Sequence, residues 1–185
     1  YRDVDGDGIP YRTIPGDGMP TYFCRGSGHN ELAEYSESAT DYEDNLKRLN
    51  QKFETARKLV PGLVVERASD GPIGVIAYGS SHWSTIESCD QLVKMAGVTV
   101  EYARLRAYPF HSDLGEFIDR HERIYVIEQN RDAQLLSLMR MELSPSRLVK
   151  LRSVLHYSGL PIDAQTITES VLAQEECDLE PVEES

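Results

Sequence analysis

Cysteine is scarce: Cys24, Cys89 and Cys177 stand far apart in 185 residues, with no CxxC pair. That excludes a complete zinc or iron–sulfur site within the chain, and so few thiols suggest a reducing cytoplasm. Long apolar runs are missing too, so no stretch of about 18 residues or more could span a bilayer as a helix. Basic residues are outnumbered, 19 Lys and Arg against 31 Asp and Glu, for a formal charge of −12. A surface of that sign repels phosphate backbones and makes nucleic acid a poor partner. Nor does the chain contain a GxxxxGK[ST] loop, a strand-led GxGxxG or a GxSxG elbow. Those are the local patterns of phosphate, dinucleotide and serine-hydrolase chemistry.

What is present has the balance of a globular protein, with 40% hydrophobic and 27% charged residues. The length suits one domain with an appendage and is enough to bury a core unaided. The opening Tyr1-Arg2-Asp3-Val4-Asp5 is no signal peptide and reads like the middle of a longer polypeptide. At the other end, residues 175–185 carry most of a local acid run, which reads as a solvated tail.

Residues 1–40 look irregular, rich in Gly and Pro, and hold two Gly-Asp-Gly triplets. Asp3, Asp5, Asp7 and Gly8 begin like a calcium-binding loop, but its twelfth position is Ile14, where a bidentate glutamate is required. Gly16-Asp17-Gly18, with Asn45 downstream, has the look of a magnesium–thiamine signature. No buried strand precedes it, and Pro10, Pro15 and Pro20 fit an extended or turning segment instead. The expectation is turns, with no metal held. His29 and Glu31 lie in a Gly-rich loop and make a thin case for metal or acid–base chemistry.

Beyond this connector, Tyr42, Leu46, Leu49, Phe53, Ala56 and Val60 recur four, three, four, three and four apart. The spacing predicts a linking helix within 41–62, capped by Asp41 or Thr40 and stopped by Pro61-Gly62. From residue 63 short apolar runs alternate with amphipathic stretches. Strands are expected at 73–78, 98–107, 124–127 and 154–157. Helices are expected from about 86 to Gly97, at 114–120, at 134–143 and at 163–174. Continuous apolar strands about 25 residues apart, with helices between, imply right-handed crossovers and a mainly parallel sheet covered on both faces. Residues 63–174 are therefore expected to form a three-layer α/β/α domain.

In such a fold the carboxyl ends of the strands carry ligands. Tyr78-Gly79-Ser80-Ser81 follows a buried strand and opens a helix, so Gly79, Ser80 and Ser81 could hold an anion there. The alternative is that Gly79 makes the turn and Ser80 or Ser81 caps the helix. Glu128-Gln129-Asn130 sits at the next strand's exit, where Glu128 and Asn130 could face the same cleft or pair with backbone.

Several stretches together resemble one family, the 2-oxoacid:ferredoxin oxidoreductase α subunits. Asp5-Gly6-Asp7-Gly8-Ile9-Pro10-Tyr11-Arg12-Thr13-Ile14-Pro15-Gly16 looks like their dGIPyRtlPG segment. Gly28-His29-Asn30-Glu31 resembles the following histidine–acid loop, with Gly-His where the family often has Glu-His. Residues 46–53 are similar to the RLxxKF helix. Leu105-Arg106-Ala107-Tyr108-Pro109-Phe110, residues 126–134 and Tyr157-Ser158-Gly159-Leu160-Pro161-Ile162 then follow in the family's order. In EQNxxGQL, Ala133 stands where the family has glycine, which argues against a tight turn there.

Nearly the whole chain is covered, the tail excepted, and the 2-oxoglutarate branch with fused γ and α subunits looks closest. The resemblance implies the C-terminal portion of an α subunit, with 1–40 leaving the thiamine pyrimidine-side domain and 63–174 forming domain II. That domain resembles the transketolase C-terminal domain. The whole enzyme would convert a 2-oxoacid and coenzyme A to acyl-CoA, using thiamine diphosphate, magnesium and iron–sulfur clusters. Its partners would be a β subunit and ferredoxin, with no cofactor held by this segment alone. Gly79, Ser80, Ser81, Glu128, Asn130 and Arg12 would be its contacts to substrate, coenzyme A or subunit. A non-catalytic assembly module, or the C-terminal domain of a thiamine-dependent dehydrogenase β subunit, would have the same fold.

Overall fold

The structure is a computed structural model that describes residues 1–19 and 26–179. Two compact units divide it, Tyr1–Val60 and Pro61–Ser185.

In the first unit a connector of turns leads to helix α1 (Ala39–Leu59). Its cap is Ser38, whose side chain accepts the Asp41 N–H. It is neither Asp41 nor Thr40, because the helix begins at Ala39 and both lie inside its first turn, where the Asp41 carboxylate accepts the Ser36 hydroxyl. The helix stops where Val60 turns extended, one residue before Pro61. The first Gly-Asp triplet is docked on this helix. Thr55 Oγ1 donates to the Asp7 carbonyl at 2.6 Å and Arg48 Nη1 to the Gly8 carbonyl at 3.1 Å. A Cβ at Gly8 would lie 2.2 Å from the Lys52 backbone nitrogen, and φ there is +82°, so glycine is needed twice over. The apolar stripe read from the spacing is on α1, yet none of the helix's residues is buried.

In the second unit the described residues form one five-stranded sheet. Its strands are β1 (Val64–Arg67), β2 (Ile73–Tyr78), β3 (Val100–Leu105), β4 (Arg123–Glu128) and β5 (Leu151–Leu155). The order is β1-β3-β2-β4-β5, with β1 antiparallel to β3 and the other pairs parallel. Between them run α2 (His82–Ala96), α3 (Asp113–Asp119), α4 (Gln134–Glu142) and α5 (Pro145–Leu148), and α6 (Ala164–Leu179) closes the unit. Alternation along β2 feeds two cores. Ile73, Val75 and Ala77 pack with Cys89, Leu92, Ile167 and Val171 on one face. Ile76 packs on the other with Phe117, Ile118, Leu136 and Met139. The expected three-layer α/β architecture is the one observed.

Three details depart from the sequence pattern. β1 and α5 carry no sustained apolar period and escape notice. β5 begins at Leu151, three residues before the expected 154, because Lys150 and Arg152 disguise its buried first residue. And α6 continues past 174 into the acid run. Glu175, expected in the solvated tail, accepts Arg123 Nε at 2.8 Å, Arg123 Nη2 at 2.9 Å and the Tyr125 hydroxyl at 2.7 Å. Residues 180–185 of that tail lie outside the described residues.

Below the amino-terminal rim of the sheet, Glu101 is buried in β3 and accepts both Arg120 Nε and Nη2, at 2.8 and 3.0 Å. His121 Nε2 lies 2.9 Å from the same carboxylate, and its Nδ1 lies 2.7 Å from the Phe117 carbonyl. This network ties the end of α3 to the sheet.

Candidate functional site

Strand order places a topological switch point between β2 and β4. The chain leaves β2 toward β3 and leaves β4 toward β5, so the two exits diverge and open a crevice at their carboxyl ends. Gly79, Ser80 and Ser81 form a 3-10 turn at the first exit, with Gly79 at φ +58°. Glu128 ends β4, and Asn130 follows it. Five of the six residues singled out from the sequence therefore meet at one rim. Arg12 does not belong to this unit: it is exposed in the first, with no hydrogen-bond or ion-pair partner among the described residues.

The crevice is bridged by Gln129. Its Nε2 donates to Ser80 Oγ at 3.0 Å and to Ser81 Oγ at 3.1 Å, and its Oε1 accepts the Ile162 N–H at 3.1 Å. Ser84 Oγ donates to the Ile162 carbonyl at 2.7 Å, closing the loop onto α2. Ser81 holds the N-cap position of α2 but makes no side-chain capping bond, and the hydroxyls of both Ser80 and Ser81 serve Gln129 instead. The long-range Gln129 amide takes the serine oxygens that side-chain capping would need. The strand-exit position of Gln129 was visible in the sequence, but its partners, the serines nearly 50 residues upstream and Ile162 33 residues downstream, were not.

Glu128 is fully buried, and its carboxylate is spent on protein. It accepts Leu135 N–H at 2.7 Å, Leu136 N–H at 3.0 Å and Asn130 Nδ2 at 2.8 Å. A buried anion at the start of α4 satisfies the helix's orphan amides and faces its positive end. Asn130 Oδ1 takes two more amides, those of Asp132 and Gln134, at 3.1 Å each. These contacts wind a tight turn in which Ala133 has φ 49° and ψ 52°. The turn that its alanine argued against is present, imposed by the side chains around it.

On the other side of β2, Tyr78 is held above its ordinary pKa of 10.0, first by burial and then by the Glu128 charge, with an Asn130 hydrogen bond acting against them. Tyr78, Arg106, Tyr108, Phe110 and Leu138 line an open cleft of about 570 Å³ over the ends of β2 and β3. Deeper in the unit, the Tyr102 hydroxyl lies 3.0 Å from His82 Nδ1, and burial pushes its pKa upward.

In the first unit, ligand atoms of Asp3, Asp5 and Asp7 come within 4.8 Å of one another. Both Asp3 oxygens already accept backbone amides, from Gly6 at 2.9 Å and Gly8 at 2.8 Å, so the cluster is organised as a turn. Asp17 likewise accepts Ile14 and Met19 amides at 2.8 Å each, which lower its pKa. Asn45 Nδ2 donates to the His29 carbonyl at 2.6 Å, and His29 Nδ1 lies 2.9 Å from the Asn30 carbonyl.

No protein-family model matches the chain, and no curated protein matches it by sequence. Solved structures do match. One is a 2-oxoglutarate:ferredoxin oxidoreductase from Magnetococcus marinus with 2-oxoglutarate, coenzyme A and succinyl-CoA bound. The likeness covers 93% of this chain at 21% identity with a TM-score of 0.73, and the chain spans 30% of that one's length. At that identity it establishes a shared fold.

Proposed function

We propose that this chain is the domain II segment of the α subunit of a 2-oxoacid:ferredoxin oxidoreductase, with 2-oxoglutarate the leading substrate. One observation carries the reading. The fold of 93% of the chain, more than the second unit alone can supply, is found within one chain of such an enzyme. The ordered resemblance of the motifs from Gly8 to Ile162 supports it independently. In this reading the whole enzyme is cytoplasmic. It joins a β subunit, oxidatively decarboxylates a 2-oxoacid onto coenzyme A and passes electrons to ferredoxin. Among the described residues, no helix is long and apolar enough to cross a membrane.

The chain's own residues do not fit thiamine diphosphate with magnesium. The Asp17 carboxylate is committed to two amides of its own turn, and the Asn45 amide to the His29 carbonyl. Nor does Cys89 fit a cluster ligand, being buried with its thiol pushed up to about 11 by that burial. These groups belong to other parts of the assembly, and the segment's part is to shape a wall or interface.

Purifying the native assembly through a tag on this chain tests the reading. The expected result is reduction of ferredoxin that requires both a 2-oxoacid and coenzyme A. An assembly inert with 2-oxoglutarate, pyruvate and branched-chain oxoacids alike would overturn it. A second reading, an assembly module without a direct role in substrate binding, is favoured by α1, whose Tyr42, Leu46 and Phe53 are exposed. Under that reading Leu46→Asp with Phe53→Asp abolishes co-purification of the partner subunits while the isolated chain stays folded.

A further inference from the structure

The crevice at which a sheet of this order normally receives its ligand is occupied by Gln129 and the two serine hydroxyls. The start of α4 is equally committed, since Glu128 and Asn130 hold the amides of Gln134, Leu135 and Leu136. The start of α4 therefore offers a phosphate no free amide at Gln134, Leu135 or Leu136. Among the described residues, an opening on this rim lies one strand over, the cleft above the ends of β2 and β3. Its volume of about 570 Å³ falls in the range of small-molecule sites, roughly 300–1,000 Å³.

Its lining is specific in character. Phe110 is buried, Tyr78 and Tyr108 are exposed, and Leu138 contributes from α4. Such a surface favours a flat apolar body. Two guanidinium groups border it, and they differ. Arg104 is neutralised by Glu66, at 2.9 Å. Arg106 donates through Nε to the Gly62 carbonyl at 3.2 Å, which steadies the group, and its terminal nitrogens have no partner among the described residues. One anchored, uncommitted guanidinium is the complement of one carboxylate, which it can bind through two parallel hydrogen bonds. A polyphosphate would bring more negative charge than this single cation offsets, with the buried Glu128 carboxylate acting on Tyr78 from behind. We propose that the cleft bounded by Tyr78, Arg106, Tyr108 and Leu138 is a binding site for a small monocarboxylate with an aromatic body. Arg106 receives the carboxylate and the tyrosines flank the ring. The inference stands on the cleft alone and holds whether or not the oxidoreductase reading does.

Titrating the 185-residue chain with 3-phenylpropionate, followed by amide and methyl NMR, tests it, with the neutral 3-phenylpropionamide as the companion probe. The expected result is saturable shifts at Tyr78, Tyr108 and Leu138 with an affinity of about 1 mM or tighter. The amide and the Arg106→Gln variant should each bind at least about tenfold more weakly. Leu138→Trp, which fills the cleft and leaves the guanidinium in place, should abolish the shifts. Absence of saturable shifts, equal binding of acid and amide, or a folded Leu138→Trp protein that binds as the parent does would each overturn the proposal.

Discussion

Ala133 enters α4 with φ 49° and ψ 52°, a left-handed conformation in which its Cβ crowds the neighbouring carbonyl. The turn persists because Asn130 Oδ1 gathers the amides on either side and Glu128 gathers those beyond. Replacing Ala133 with glycine should therefore relieve more strain than it adds chain entropy. A gain of about 1 kcal/mol in urea-unfolding free energy is expected, with an unchanged m value. A loss of stability would show that the methyl group's packing outweighs its backbone cost. Glu175 gives a pH-dependent counterpart. Burial raises its pKa, but hydrogen bonds from Arg123 and Tyr125 and the Arg123 charge outweigh that and leave it below the ordinary 4.5. A carboxylate whose pKa is lower folded than unfolded adds stability above the unfolded value and loses it as pH falls through the folded one. Stability should thus decline as pH drops below about 4.5, and Glu175→Gln should flatten that part of the profile; parallel profiles for the two proteins would remove Glu175 from the account. At this scale the sequence marked where polar groups gather, since apolar runs end at Tyr78 and Glu128. It could not show their roles, because the partners that decide them, Gln129 with Ser80 or Arg123 with Glu175, lie about 50 residues apart.

The elements follow from burial. β2 and β4, covered on both faces, read as unbroken apolar runs, and α2 ends at Gly97, where its periodicity stops. The strands that sequence patterns missed or displaced are those at the sheet's two edges. β1 is nowhere buried, and β5 buries only Leu151 and Val154, so neither has a pattern stronger than its charged neighbours. Helix α3 depends on a feature of β2 that no periodicity reveals, the missing side chain of Gly74. A Cβ there would lie 2.5 Å from Ile124 Cδ1, 3.0 Å from Phe117 Cε1 and 3.1 Å from His121 Cγ. Gly74→Ala should push α3 off the sheet and disturb the Glu101–Arg120–His121 network. A cost of about 1–3 kcal/mol is expected, together with faster amide exchange in α3. Unaltered exchange there, with wild-type stability, would mean that Ile124 yields without moving the helix.

Across the whole molecule, burial is distributed unevenly. Both hydrophobic clusters draw all their buried members from residues 73–171, and α1 buries none of its own. The first unit is held by a few polar contacts: the Asp3 carboxylate closing on Gly6 and Gly8, and the backbone of that turn seated against Arg48, Lys52 and Thr55. Such hydrogen bonds, mostly half-buried, each contribute only about 1 kcal/mol, whereas two packed faces of a sheet supply the large apolar term that offsets chain entropy. Residues 61–185 alone should accordingly unfold in one cooperative transition, with near-UV circular dichroism intact. Residues 1–60 alone should show no such transition. The measurement is urea denaturation of both fragments, followed by near- and far-UV signals. A second unit that keeps its helices but loses its near-UV signal would place part of the determinant of its packing in the first sixty residues. The division into a self-sufficient sheet and a dependent connector would then be wrong.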